Sequence, residues 1–159
     1  MISVSSTIGA LFRELVDGRS SPEGYILNPD DVGLLRSLDR LSAAEASNTP
    51  AGRVSVAAHV DHVRYSLYRL NGWASGTDLG PADWGASWRR SRVTDAEWKE
   101  LRAKLASEVA AWKGVLDRAT ASDDESLRSL ASSVAHLAYH FGAIRQLADA
   151  ARGPLEPQL

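Results

Sequence analysis

Apolar residues recur along most of the chain with the period of a helix. Ile8, Leu11, Phe12 and Leu15 fall at i, i+3, i+4 and i+7, which predicts a first helix from about Val4 to Asp17, stopped by Gly18. Gly18 to Asp31 contains Pro22, Gly24 and Pro29 and reads as a loop. Asp30 or Asp31 is a candidate cap for a second helix reaching about Ser47, with Val32, Leu34, Leu35, Leu38 and Leu41 as its apolar positions. Asn48-Thr49-Pro50-Ala51-Gly52 interrupts the pattern. A third helix is expected from about Val54 to Asn71, where Val56, Val60, Val63, Leu67 and Leu70 form a heptad-like stripe. Residues 72–93 form a glycine-rich break whose Trp84 and Trp88 are expected to pack down onto the body. Thr94 and Glu97 make a capping box for a fourth helix, with Trp98, Leu101, Leu105, Val109, Trp112 and Leu116 on its apolar face. Ser122 and Glu125 repeat that pattern for a fifth, with Leu127, Leu130, Val134, Leu137, Phe141 and Ile144, ended by Gly153-Pro154.

No alternating segment reads as a strand. The expected fold is all-α: an up-down four-helix bundle with an extra short helix and long loops, in one domain over residues 1–159. Hydrophobic residues make up 44% and charged residues 24%, which excludes a wholly disordered chain. The net charge of −2 argues against a nucleic-acid binder, which needs clustered Lys and Arg. No run of 18 apolar residues exists, so no membrane span is expected. The start lacks the positive region of a signal peptide, and a cytoplasmic location is the expectation. With no cysteine, disulfides, thiolate metal sites and a cysteine nucleophile are excluded, and any thiol must come from a small molecule.

The histidines carry the chemical signal. His136 and His140 stand at i, i+4, so one helix face offers two imidazoles one turn apart. Leu137 occupies the place where a zincin would carry its glutamate base. His59 and His62 lie on the third predicted helix. At about 100° per residue, His59 falls about 60° from the centre of the apolar stripe and His62 about 120°. His140 falls about 80° from its own stripe and His136 about 120°. The rings therefore border the core, where two helices face each other. Ser133 and Ala143 leave room beside them, and three neutral imidazoles with open positions would form a catalytic type of metal site.

Other constellations are weaker. Arg89, Arg90 and Arg92 lie beside Trp88 and offer a candidate site for an anionic ligand against a plain solvated loop. Tyr65, Tyr68 and Tyr139 read as packing residues, with the edge of a pocket as the alternative. Asp61, two positions beyond His59, points away from that ring. The chain has no G-x-G-x-x-G, P-loop or G-x-S-x-G motif.

Val56-Ala57-Ala58-His59-Val60, followed by His136-Leu137-Ala138-Tyr139-His140-Phe141-Gly142-Ala143-Ile144-Arg145-Gln146, resembles the DinB-like superfamily of four-helix bundles, described together with the YfiT-like metal-dependent hydrolases. The resemblance runs from Ile8 to about Ala151. It implies a divalent metal held by three histidines, with His136 and His140 as the pair and His59 as the single histidine. His62 remains the alternative third ligand. An all-imidazole donor set suits zinc or nickel. Relatives include thiol S-transferases and a maleylpyruvate isomerase that use mycothiol or bacillithiol, so an external thiol and a small-molecule substrate are implied, and family members are often homodimers. Members often carry Gln where Ala143 stands. The stretch from Gly18 to Ser47 is longer than the family pattern and is expected to reshape or cover the site. Two functional classes follow: a metal-dependent transferase or hydrolase, or a non-catalytic bundle that binds a small ligand or protein partner.

Overall fold

A computed structural model describes residues 4–119 and 123–151. Six α-helices appear among them: α1 (Val4–Asp17), α2 (Leu34–Asp39), α3 (Ala43–Ala46), α4 (Val56–Ala74), α5 (Asp95–Arg118) and α6 (Asp124–Leu147). Single 3-10 turns occupy Pro50–Gly52, Ala86–Trp88 and Asp149–Ala151. Among the described residues there is no strand, only an isolated bridge between Gly18 and Val32. No described helix is long and apolar enough to cross a membrane.

The four long helices pack in a closed set of neighbours. α1 rests on α5 and α6, and α4 rests on the same two. Their stripes meet in one buried cluster that includes Phe12, Leu15, Val60, Leu67, Leu105, Trp112, Leu137, Phe141 and Ile144. Each such side chain contributes about 1.5–3 kcal/mol on burial, so this cluster is the main stabilising feature.

Local signals set the ends. Thr94 and Glu97 form the expected reciprocal capping box of α5. At α6 the cap is Asp123, whose carboxylate accepts from the Ser126 N–H at 2.7 Å. The expected cap Ser122 and the expected stop Gly153-Pro154 lie outside the described residues. The helix already ends at Leu147.

The second expected helix is two short ones. The chain breaks at Arg40–Ser42 because the Leu41 carbonyl accepts the buried Trp98 indole N–H at 2.8 Å, and Ser42 opens α3 with its own capping box to Glu45. Neither Asp30 nor Asp31 caps α2; Gly33 stands at that position and makes no side-chain cap. A Cβ at Gly33 would lie 2.4 Å from the Gly18 nitrogen, so only glycine lets these two stretches cross.

Asp31 is instead drawn to α6. Its buried carboxylate takes both terminal nitrogens of Arg145, at 2.9 and 3.0 Å, and accepts from the Asn28 N–H. Glu14 organises the preceding loop by accepting the N–H groups of Tyr25, Ile26 and Leu27. Burial raises the pKa of Glu14, but these bonds and Arg19 more than offset it and hold the carboxyl below its ordinary value.

Candidate metal centre

α4 and α6 lie side by side with their histidines in register. His59 meets His140 and His62 meets His136, so rising numbers on one helix face falling numbers on the other, and the two run antiparallel here. The Nε2 atoms of His62 and His136 are 3.2 Å apart, and those of His136 and His140 are 3.0 Å apart. His62, His136 and His140 each present a ring nitrogen within 4.8 Å of the other two. A tetrahedral ion with Zn–N bonds of about 2.0–2.1 Å needs ligand nitrogens about 3.3 Å apart, close to this spacing.

The helix wheel ranks His59 ahead of His62, and the geometry ranks them in the opposite order. The wheel measures distance from the apolar stripe, but the flank of α4 that faces α6 lies off that stripe. His62 sits on this flank and is 8% exposed, while His59 is half-buried. His59 remains part of the cluster through its Nδ1, 2.9 Å from Nδ1 of His140. It therefore touches the outer edge of a ring whose other nitrogen faces His136.

Hydrogen bonding sets which nitrogens carry protons. Ser87 Oγ lies 2.7 Å from the Trp84 carbonyl and donates its proton there. The same oxygen lies 2.8 Å from Nδ1 of His62, so it accepts from that nitrogen. His62 then has its proton on Nδ1 and a lone pair on Nε2, facing the cluster. Likewise, if His140 donates Nδ1–H to His59, the Nε2 of His140 also faces inward with a lone pair. Lone pairs converging at 3.0–3.2 Å repel one another unless a cation or shared proton lies between them.

All four rings are biased to the neutral form that a metal needs. Burial lowers the pKa of His59 and His136. Burial, then the charges of His136 and His59, take His62 down to about 4, against a smaller opposing effect of Asp61. Burial, then the neighbouring histidines, take His140 to about 3.

The 3-10 turn Ala86–Trp88 packs on α4 and covers the cluster. The Trp88 indole stacks on His62 with centroids 4.1 Å apart and meets His59 and His140 edge-on or tilted. Trp84, 47% exposed, packs against Tyr65, whose hydroxyl accepts from the Asp83 N–H. Among the described residues the contacts of the four rings come from α4, α6 and residues 84–88, so this segment, and not the stretch from Gly18 to Ser47, covers them. Beside His136 a cleft of about 420 Å3 opens between Ser66, Arg69, Leu70, Trp84, Ser132 and Ser133.

The basic run does not line this cleft. Arg89 pairs with Asp83 at 3.8 Å, Arg90 pairs with Asp61 at 3.3 Å, and Arg92 is exposed. Asp61 also holds Arg64 and so, as its position predicts, faces away from His59. Ser87 and Arg69 enter the site without any local signal in the sequence; only the fold brings them to it.

Comparison of the chain with known proteins found no matching curated protein and no matching solved structure. The family model of the DinB superfamily matches residues 33–144, a span that holds α4, α5, the Trp84–Trp88 segment and all four histidines, and the chain belongs to the DinB superfamily.

Proposed function

We propose that this protein is a divalent-metal-dependent enzyme acting on a small molecule, of the thiol S-transferase or hydrolase type. The observation that carries this reading is the convergence of the His62, His136 and His140 nitrogens beside an open cleft. The donor set fits a zinc- or nickel-type ion: three imidazoles, biased to their neutral forms, with His62 fixed by Ser87. His59 orients His140 from behind. A bound ion supplies Lewis acidity and eases deprotonation of a water or thiol beside it.

The chain's own groups fill a supporting role. Trp88 shields the His62 face from water. None of the described residues lining the cleft is a carboxylate or a cysteine, and the Ser132 and Ser133 hydroxyls donate to carbonyls of their own helix, so the reading assigns the nucleophile to a water or a low-molecular-weight thiol from outside. The neighbour relations of α1, α4, α5 and α6 support the up-down four-helix arrangement that holds the two histidine helices together.

Elemental analysis of the protein purified without added metal tests the reading. One equivalent of a transition metal per chain, lost in His62→Ala, supports it. A metal-free protein that takes up no zinc, nickel or cobalt on titration refutes it and leaves the non-catalytic bundle.

A further inference from the structure

We propose that Arg69 is an anion anchor in the cleft beside the histidines, and that the ligand held there is a small organic carboxylate. The proposal rests on the metal-enzyme reading for the placement of the ligand's reacting end, but not for capture of the anion itself.

Arg69 is seven residues beyond His62 on α4, two turns on and nearly the same face, about 10 Å along the axis. It lines the cleft together with His136 of α6. Its guanidinium is held from one side: Nη1 donates to the Leu79 carbonyl at 3.1 Å and Nη2 to the Gly80 carbonyl at 2.8 Å. Neither partner is charged, and no carboxylate among the described residues lies within ion-pair distance of it, whereas Arg64 on the same helix and Arg89 and Arg90 just after Trp88 are each paired with an aspartate. Three of its five N–H groups remain unused.

A cation fixed by neutral carbonyls in a concave site, with no carboxylate among the described residues in ion-pair contact, is prepared for an anion. A planar guanidinium matches a carboxylate in shape and in charge. The opposite wall offers Ser132 and Ser133, whose hydroxyls already donate to the Ser129 and Leu130 carbonyls. Their oxygens therefore act as acceptors, which suits a ligand with a hydroxyl or amide N–H between its two ends. One end of such a ligand rests on Arg69 and the other reaches the histidines.

The test uses metal-free protein, so that its outcome is independent of metal loading. The Trp84 indole N–H, assigned by Trp84→Phe, serves as the reporter inside the cleft. Glutarate should shift this resonance saturably, its uncharged diamide should not, and Arg69→Gln should weaken glutarate binding about tenfold or more. Arg69→Lys keeps the charge and should retain part of the affinity. Glutarate and diamide binding alike, no shift with glutarate, or equal losses in the Lys and Gln variants with equally lowered thermal midpoints would overturn the proposal, the last by making Arg69 a strut for Leu79 and Gly80. A response to inorganic phosphate but not to glutarate overturns the carboxylate assignment.

Discussion

Ser87 Oγ sits 2.8 Å from Nδ1 of His62 while giving its own proton to the Trp84 carbonyl, so one buried hydroxyl fixes both the tautomer and the direction of the ring. Partners of this kind behind a metal-binding histidine are typically worth 10–100-fold in metal affinity. Ser87→Ala should therefore weaken zinc binding by about that factor, while Ser87→Thr restores much of it. Competition with a chromophoric chelator measures the loss, and an unchanged affinity in Ser87→Ala would remove this role.

The four histidines differ in what their loss does. His62→Ala, His136→Ala and His140→Ala should each abolish stoichiometric binding and leave a folded, helical protein, since the apolar stripes do not depend on the rings. His59→Ala should keep the stoichiometry with reduced affinity. Metal retained by His62→Ala and lost by His59→Ala would return His59 to the ligand set.

Acid should act on both the metal and the fold. The rings have folded pKa values below their ordinary 6.5, so they are uncharged in the native protein where the unfolded chain already binds protons. Stability from this source is complete above pH 6.5 and falls as pH drops, through about 4 for His62 and about 3 for His140. The thermal midpoint of the metal-free protein should decline across this window. Replacing His62 and His140 together by Phe or Leu should flatten that decline.

Asp31 and Arg145 form a bidentate pair in which the Asp31 side chain is 1% exposed. Removing one partner of a buried pair costs about 3–5 kcal/mol, and Arg145, being partly exposed, places this pair near the lower end, at about 3 kcal/mol. Asp31→Ala should show this loss in urea unfolding. A change under about 1 kcal/mol would mean that water replaces the carboxylate readily.

Where a signal was local, the sequence disclosed the structure. The i, i+3, i+4 pattern from Ile8 matches α1 end to end, and Thr94 with Glu97 marks the start of α5. Ser42 and Glu45 carry the same capping signal, but the leucines around them extend the helical period and hide the break. At the site, the His136–His140 pair was legible because both rings belong to one helix. The choice between His59 and His62 was not, because it depends on which flank of α4 meets α6. Ser87, Trp88 and Arg69 are joined to the histidines only through packing and a loop that folds back, relationships with no period along the chain.

The placement of α1 makes the folding unit longer than the matched stretch. The stretch shared with the DinB superfamily begins at residue 33 and ends at 144, yet Ile8, Phe12, Leu15 and Val16 fill the core from outside it, and Asp31 and Arg145 clasp each other just beyond either end. A chain cut to the shared stretch would lose the helix that rests on α5 and α6 and leave a long apolar furrow open to water. Such a fragment should self-associate, so the unit that folds is larger than the stretch by which the family is recognised.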